Sequence, residues 1–492
     1  MMAEHSRAWR RTGPIHNPRR GSRAKVIYAL VLGSVLAFAA LLKLILLLRA
    51  VGFEQGDPLE YINIAYTIAH ATHEEWWDIR PLVYPLTLVP FIWLGERLPD
   101  VTGEAAVRLL RCVPLVFSLG SLWICAAIAH TLSNRIGAIV AALILAANPT
   151  FNQLSVSPFA EVPATFGVLC AVLVAIRTRP SFWSGGLAGT ALGLACMARY
   201  QSLAFIGPFG LWMLLGRRLP RLTGFIAGLL ACVAFQAALD DLAYGAPFHS
   251  LIQSAAYNVT TDEAASFYGA QPFIWYLQSV GEWLGYPTLA LAVVGGVLAV
   301  AGHLRWQWLL VLGLTVTMLL WLSAIGHKEL RFTSQLTPFL AIAAGHGASS
   351  VARIGPRLGR IAVVPLVGLA AIPGIVHSLS LNLTFNPGFV EGPKMVAAEH
   401  SGAVLGTIPW FIARPYVHNR IELVRADVDR WHDREYMTQV LERSDYLLLR
   451  EYDFATDRTI QRLVDSQYRT VETYPEQVVL LEKRSGSTPR GR

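Results

Sequence analysis

The stretch VIYALVLGSVLAFAALLKLILLLRAV, residues 26–51, decides the fold class of this chain. It is longer than the roughly 20 residues that a helix needs to cross the hydrocarbon core of a bilayer. A basic segment, residues 1–25, precedes it, and the run is too long to be the apolar core of a signal peptide. We therefore interpret it as an uncleaved first membrane span whose basic end lies in the cytoplasm.

Similar apolar runs recur along the chain, which has 492 residues, 54% of them hydrophobic and only 15% charged. The runs predict an all-α polytopic membrane protein with about 11 transmembrane helices. The further spans are expected at about 104–131, 136–149, 159–177, 182–198, 200–216, 219–238, 282–302, 306–325, 332–349 and 360–381. Paired glycines at 185–186 and 295–296 lie inside these spans and indicate close helix packing.

One apolar stretch, residues 81–95, is interpreted differently because Pro81, Pro85 and Pro90 interrupt it. Proline removes a helical hydrogen bond, so we expect a membrane-surface or re-entrant helix here and not a full crossing. Counting it as a span would also spoil the agreement between the basic loops and the membrane side.

The distribution of charge predicts the orientation of the spans. The net charge is 41 − 33 = +8. When the spans alternate in direction across the membrane, the basic loops without candidate site residues all fall on one side. These loops contain Arg135, Arg177, Arg179, Arg217, Arg218, Arg221, His303, Arg305, Arg353, Arg357 and Arg360. By the positive-inside rule that side is the cytoplasm. Residues 52–103, 239–281 and 326–331 then face outward. Orientation in the membrane explains the net positive charge, so no nucleic-acid partner is expected.

The composition changes sharply after residue 384, which predicts an extracytoplasmic domain over 385–492. Strands are expected at 404–411, 446–449 and 478–482, with helices at 433–443, opened by an acidic cap, and 457–466. Alternating strands and helices indicate a small α/β fold. The transmembrane domain is accordingly assigned to residues 26–384. Five cysteines lie in apolar stretches without metal-ligand spacing, so buried thiols are expected.

Two carboxylates stand at the start of the first outer loop. Asp57 and Glu60 are three residues apart, so both would face the same way on a helix that starts at Pro58. A carboxylate at the boundary between water and membrane can act as a general base toward an incoming hydroxyl. The alternative is a helix cap by Asp57 beside a solvated Glu60, and the local spacing leaves both interpretations open.

A basic group is predicted on the outer side, where the positive-inside rule disfavours it. Its members are His327, Lys328, Arg331, Arg80 and Arg199. Arginine offers a phosphate two parallel donors and lysine a compact charge, so this group suits a phosphate-binding site. Anchoring of side chains among lipid headgroups is the alternative.

Further outward-facing candidates are Asp240, Tyr244, Tyr268, Trp275 and Glu161. Aromatic faces can stack on sugar rings, although aromatic belts at membrane interfaces are equally common. His70 and His73, with Glu74 and Glu75, have helical spacing that could suggest a metal. That spacing is a weak signal, so neither a metal site nor a cofactor is expected.

Residues 327–332, HKELRF, resemble the His-Lys-Glu-x-Arg-Phe signature of the Alg9-like mannosyltransferases, which include the GPI and dolichol-linked oligosaccharide mannosyltransferases. Three other stretches resemble family motifs in the family's order: Ile79-Arg80 with Tyr84-Pro85, Asp240 through Tyr244-Gly245, and Ser266-Phe267-Tyr268-Gly269 with Pro272 and Trp275-Tyr276. The family usually has adjacent Asp-Glu in its first outer loop. Here Asp57 and Glu60 are separated, so both remain candidates for the equivalent acid.

The resemblance implies the GT-C membrane fold and a hexosyltransferase, in the first place a mannosyltransferase. Its donor would be a polyprenyl- or dolichyl-phosphate sugar and its acceptor a glycan or glycolipid, with inversion and without a metal. Asp57 would be the base, with Glu60 as the alternate. The basic group would hold the donor phosphate, and Asp240, Tyr244, Tyr268, Trp275 and Glu161 would form the sugar or acceptor pocket.

Two alternatives remain at this point. One is a GT-C transferase of another sugar, such as aminoarabinose, galacturonic acid or arabinofuranose, and the other is a lipid or sugar transporter. An outward-facing site favours a lipid-linked donor because nucleotide sugars are cytoplasmic. We expect a multi-pass protein of the bacterial inner membrane with its site facing outward, or of the endoplasmic reticulum membrane in a eukaryote.

Overall fold

The computed structural model describes residues 18–54, 56–71, 76–98, 103–302, 305–354, 358–408, 410–417, 420–427, 430, 433–455 and 458–484. The basic residues before position 18, the group His73, Glu74 and Glu75, and the predicted inner-loop residues His303 and Arg357 lie outside this part of the chain.

The membrane domain is built from helices of very different length. They are Pro18–Arg49 (α1), Asp57–His70 (α2), Val83–Gly95 (α3), Glu104–Leu132 (α4), Arg135–Ala147 (α5), Pro149–Leu154 (α6), Glu161–Arg177 (α7), Phe182–Ala198 (α8), Ile206–Leu215 (α9), Leu219–Tyr244 (α10), His249–Ala255 (α11), Glu263–Tyr268 (α12), Trp275–Gln278 (α13), Val280–Trp283 (α14), Tyr286–Ala301 (α15), Arg305–Ala324 (α16), Thr337–Ile354 (α17) and Leu358–Ser380 (α18). Two 3-10 helices, Tyr200–Phe205 and Leu330–Gln335, lead into α9 and α17.

Five of the described helices are long and apolar enough to cross a bilayer. They cover Lys25–Arg49, Glu104–Leu132, Leu219–Tyr244, Trp306–Ala324 and Ile361–Ser380. Shorter apolar helices, among them Val83–Gly95 and Phe182–Ala198, accompany them. The protein is therefore an integral membrane protein, while the total of about 11 crossings and the surface position of residues 81–95 stay predictions.

Close helix packing occurs at the paired glycines. A Cβ atom on Gly185 would lie 1.9 Å from the carbonyl oxygen of Arg221, and one on Gly295 would lie 1.9 Å from that of Ala343. Only glycine permits these contacts, which join α8 to α10 and α15 to α17. Small residues at such crossings let backbones approach where lipid offers no hydrophobic driving force.

The tail forms a five-stranded mixed sheet with flanking helices. Its strands are Val404–Thr407 (β1), Glu422–Arg425 (β2), Tyr446–Arg450 (β3), Tyr468–Tyr474 (β4) and Val478–Lys483 (β5), in the order β2-β1-β3-β5-β4. Strand β1 is parallel to β2 and β3, whereas β5 is antiparallel to β3 and β4. The helices are Gly388–Glu399 (α19), Trp410–Val417 (α20), Arg434–Arg443 (α21), Glu451–Ala455 (α22) and Arg458–Gln467 (α23).

The two faces of this sheet have different neighbours. Helices α21 and α23 cover one face through Val440, Leu441 and Val464, and Asp433 caps α21 through the amides of Glu435 and Tyr436. On the other face α19 packs so closely that a Cβ atom on Gly392 would lie 2.8 Å from Leu448. That face joins the core of the membrane helices.

The strand expected at 404–411 ends earlier, at Thr407, because helix α20 begins at Trp410. Strands β2 and β4 were not predicted from the sequence. Both are edge strands, and β4 is exposed along most of its length. An exposed edge strand lacks the apolar alternation that reveals a half-buried strand.

Candidate active site

A cavity of about 280 Å³ lies where the segments after α1, before α3, after α8 and after α16 meet. Its charged and polar lining includes Glu54, Asp57, Arg80, Arg199, Tyr200, His327, Glu329 and Arg331. The structure thus brings together residues from all of the motifs that were predicted to face outward, except the motif around Asp240.

Asp57 lies at the centre of this cavity's charge network. It opens α2 after Gly56, with Pro58 in the first turn, a position at which the helix dipole favours a negative charge. Its side chain is buried, at 8% exposure. The guanidinium of Arg80 lies 2.7 Å from one carboxylate oxygen, and those of Arg199 and Arg331 each lie 3.2 Å from the other.

Two other carboxylates share the same arginines. Glu161, fully buried at the start of α7, lies 3.1 Å from Arg199 and 3.9 Å from the Nε atom of Arg331. Glu329 pairs with Arg331 and accepts from His327 at 2.8 Å. Neighbouring acids, one of them fully buried, therefore hold the basic cluster in place.

These contacts determine how Asp57 behaves as an acid. Burial opposes its ionisation, but the guanidinium groups led by Arg331 outweigh burial and hold the pKa of Asp57 well below its usual range. The pKa of Arg331 is raised, because its neighbouring carboxylates outweigh the opposing effect of burial. Asp57 is consequently always ionised at neutral pH and is a weak proton acceptor.

Glu60 lies one turn further along α2 and does not line the cavity. Burial raises its pKa, with Arg80 as the main opposing influence. Its Oε2 atom is buried, and no described residue forms a hydrogen bond with it. The structure therefore separates the two acids that the sequence presents as interchangeable.

The basic residues that were predicted to bind a phosphate also differ in position: some line the cavity and others do not. His327 lines the cavity, and its buried Nδ1 atom has no hydrogen-bond partner in the described part of the chain. Lys328 points elsewhere: its Nζ atom donates to the carbonyl oxygens of Gln271, at 3.2 Å, and Ile325. Lys328 therefore joins the segment before α17 to the loop between α12 and α13, and it does not line the cavity.

Asp240 lies outside the cavity lining and anchors a loop. Its carboxylate accepts from the backbone N–H of Ser250 at 3.0 Å, from the Ser250 hydroxyl at 2.7 Å and from Gln236 at 2.7 Å. The hydroxyl of Ser250 also lies 2.5 Å from that of Tyr200, which lines the cavity. Asp240 thus positions the start of α11 and the Tyr200 side chain.

Of the aromatic candidates, only Tyr268 lines the cavity, with its ring centroid 4.8 Å from that of His327. Tyr244 donates to the carbonyl oxygen of Arg80 at 3.3 Å and accepts from Trp76 at 3.0 Å. Trp275 packs against Tyr276, whose hydroxyl donates to the carbonyl of Glu329 at 3.2 Å. Tyr244 and Trp275 therefore support the site from outside.

Sequence reasoning missed two groups around the cavity. Glu54 lines it and accepts from the Gln153 side chain at 3.2 Å. Its position three residues before Asp57 was an available signal. The second missed group is Lys43, which the sequence also signals, because a lysine inside an apolar span is unusual. It is fully buried and donates to Asn152 at 2.7 Å and Ser155 at 2.8 Å, which fixes the helix that carries Gln153.

Comparison with known proteins agrees with this architecture. Residues 59–395 match the Alg9-like mannosyltransferase family. No curated protein matches the sequence of the chain. The fold resembles that of ArnT from Cupriavidus metallidurans bound to undecaprenyl phosphate, with a TM-score of 0.71 at 12% identity over 94% of this chain and 100% of that one.

Two further solved structures are similar over most of this chain. The oligosaccharyltransferase AglB from Archaeoglobus fulgidus, in complex with an inhibitory peptide and a dolichol-phosphate, has a TM-score of 0.53 at 11% identity, over 93% of this chain and 75% of that one. The arabinofuranosyltransferase AftD from Mycobacteria has a TM-score of 0.53 at 13% identity, over 92% of this chain and 40% of that one. At such low identities these similarities establish the GT-C fold alone.

Proposed function

The chain belongs to the Alg9-like mannosyltransferase family, and from that membership we propose that it transfers mannose from a polyprenyl-phosphate mannose donor to a glycan or glycolipid acceptor. Membership makes it a membrane glycosyltransferase, so the transporter alternative is dropped. The donor, the sugar, the acceptor and the outward orientation of the site are the proposed parts.

The convergence of Arg80, Arg199 and Arg331 in one cavity is the observation that carries the proposal. Their planar forks match the oxygens of a phosphate, and charged hydrogen bonds of this kind are the strong ones. One buried donor in the lining, Arg80 Nε, has no partner among the described residues. Because an unpaired buried donor is costly, a bound phosphate that accepted from it would be stabilised.

An apolar part of the cavity lining supports a lipid-linked donor. Leu203, Leu251, Val259, Trp321 and Ile325 lie on the same cavity as the arginines. A prenyl chain could lie against these side chains while its phosphate reached the guanidinium groups. The solved relatives bound to undecaprenyl phosphate and dolichol-phosphate are consistent with such a ligand.

The chemistry would be a single displacement with inversion at the anomeric carbon. As the bond to the phosphate broke, negative charge would grow on the leaving oxygen, and the preorganised guanidinium groups would stabilise it. The acceptor hydroxyl would need a carboxylate to take its proton. The cavity offers Asp57, which the sequence analysis favoured, and Glu54, whereas Glu60 lies outside the lining.

Direct assay of donor consumption tests the proposal. Full-length protein in nanodiscs would be given polyprenyl phosphomannose labelled in the sugar, together with a membrane glycolipid extract as acceptor. We expect release of polyprenyl phosphate and labelled glycolipid, no reaction with GDP-mannose, and no effect of EDTA. If the protein used only the aminoarabinose, galacturonic acid or arabinofuranose donor, the proposed sugar would be wrong. If it used none of these three donors and not the mannose donor either, the proposed function would be refuted.

A further inference from the structure

Arg111 is a buried charge that no step in the cavity uses. It lies in α4, at 1% exposure, and no carboxylate in the described part of the chain forms an ion pair with it. Its guanidinium donates instead to two backbone carbonyl oxygens, that of Val156 at 2.7 Å and that of Gly52. A charged side chain buried in a membrane domain is costly and usually serves a function. The function of Arg111 therefore lies in the two backbone segments that it joins.

These two segments carry acids that hold the arginine cluster. Gly52 lies five residues before Asp57, and Val156 lies five residues before Glu161. The two acids share Arg199 as an ion-pair partner, at 3.2 and 3.1 Å. The buried guanidinium in α4 therefore fixes the spacing of the backbone from which both acids extend.

The tail completes this bridge through Tyr416, which lies in α20 between strands β1 and β2 and is 2% exposed. Its hydroxyl accepts hydrogen bonds from the guanidinium of Arg111 and from the backbone N–H of Gly52. Without that hydroxyl both buried donors would lose an acceptor, and an unpaired buried donor is costly. One tail side chain thus contacts both the buried charge and the segment that leads to Asp57.

The residues that enter the tail hold the same segment on its other side. The backbone N–H of Val51 donates to the carbonyl oxygen of Leu383 at 3.0 Å, and that of Phe385 donates to the carbonyl oxygen of Val51 at 2.9 Å. Gly52 has a positive φ of 64°, and a Cβ atom there would lie 2.0 Å from the carbonyl oxygen of Phe385. Only glycine permits this approach, so the segment is enclosed between the tail and α4.

We propose that Arg111 and Tyr416 are positioning residues for sugar transfer. They hold the two acid-bearing segments at the spacing that aligns the guanidinium groups of the cavity with the donor phosphate. Neither residue lines the cavity, so both act through the acids. The inference rests on the proposed function of the site, and it makes the tail domain a part of the catalytic unit.

The test compares Tyr416→Phe with Tyr468→Phe in purified full-length protein. Tyr468 is the matched control, because it is equally buried and its hydroxyl donates within the tail, to the carbonyl oxygens of Leu441 at 2.7 Å and Ser444 at 2.8 Å. Tyr416→Phe should lower kcat by up to about 10²-fold, the cost of misplacing reacting groups by about 1 Å. The KM for the donor should change less, because every guanidinium group is still present. Tyr468→Phe should keep the wild-type kcat and KM, although it also loses a buried hydroxyl.

Hydrogen–deuterium exchange adds a measurement that does not depend on turnover. In Tyr416→Phe the amide of Gly52 loses its acceptor, so peptides that cover it should exchange faster than in the wild type and in Tyr468→Phe. Wild-type kcat or unchanged exchange in Tyr416→Phe overturns the inference. An equal loss of kcat in Tyr468→Phe also overturns it, because general destabilisation of the tail would then explain the loss. Wild-type protein that uses none of the four donors refutes the proposed function, and the inference with it.

Discussion

The carboxylate of Asp57 lies 3.2 Å from the guanidinium of Arg331, which joins the start of α2 to the 3-10 helix before α17. Arg80 and Arg199 reach the same carboxylate. One buried negative charge therefore orders three positive charges from distant parts of the chain. Any anion that enters the cavity competes with Asp57 for these donors.

The first prediction concerns the stability of Asp57→Asn. Removing one member of a buried ion pair typically costs about 3–5 kcal/mol, because the remaining charge is left unpaired. We expect a lower melting temperature than that of the wild type, and a larger rise in melting temperature when undecaprenyl phosphate is added. Thermal unfolding in detergent measures both. Equal shifts in the two proteins would show that Asp57 and the phosphate do not compete.

The second prediction concerns Arg331. Arg331→Ala should weaken binding of undecaprenyl phosphate by about 1.5–3 kcal/mol, the contribution of one hydrogen bond to a charged group. Arg331→Lys should also be impaired, because lysine keeps the charge but loses the planar fork. Equilibrium binding gives both values. Arg425→Ala is the matched control, since Arg425 is exposed in the tail and pairs with Asp427. Wild-type affinity in Arg331→Ala would remove Arg331 from the phosphate site.

The third prediction concerns the anchoring role of Asp240. Asp240→Ala should raise the KM for the donor more than it lowers kcat, because Tyr200 and the start of α11 lose their support. Asp240→Asn should be milder, since the amide oxygen can still accept from the Ser250 N–H. Exposed Asp241→Asn, one residue further on, serves as control. If kcat fell and the KM stayed constant, Asp240 would act on the reacting groups themselves.

The fourth prediction is a pH dependence set by Glu54, whose folded-state pKa is raised by burial. Of the candidate bases in the cavity, Asp57 is ionised throughout this range. A rise of kcat with pH through the raised pKa should therefore come from Glu54, and Glu54→Gln should lack that rise. The free energy of unfolding has the opposite trend. The folded state binds the proton more tightly, so the stability present below the ordinary carboxyl pKa is lost as pH rises through the raised one.

Two pH series would test it: kcat and the free energy of unfolding, each for wild type and Glu54→Gln. If kcat rose with pH in Glu54→Gln as it does in the wild type, the rise would belong to the titration of another group.

The fifth prediction concerns orientation. A cysteine at Gln439, exposed on α21, should react with a membrane-impermeant maleimide in intact cells. A cysteine at Arg179, exposed between α7 and α8, should react only after permeabilisation. The five native cysteines lie in helices and are buried or partly buried, which limits background labelling. The reverse pattern would place the site in the cytoplasm.

The sequence was a good guide to classes of residue and a poor guide to their roles. It singled out Asp57, Arg80, Arg199, His327 and Arg331, all of which line the cavity. It gave Lys328, Asp240, Tyr244 and Trp275 the same status, although none of them lines it. A motif marks residues that the site requires, but a buried anchor and a ligand-contacting group look alike in sequence.

The sequence alone determined the helical membrane class of the protein, the family motifs and the small tail domain. Apolar length, motif spacing and composition are properties of local segments. Only the tertiary structure decided which charges meet. Ion pairs between Asp57 and Arg80, Arg199 and Arg331 join segments far apart in the chain, and their energies depend on burial and distance. For the same reason only the fold distinguished Asp57, surrounded by guanidinium groups, from Glu54, which faces the same cavity without an ion-pair partner among the described residues.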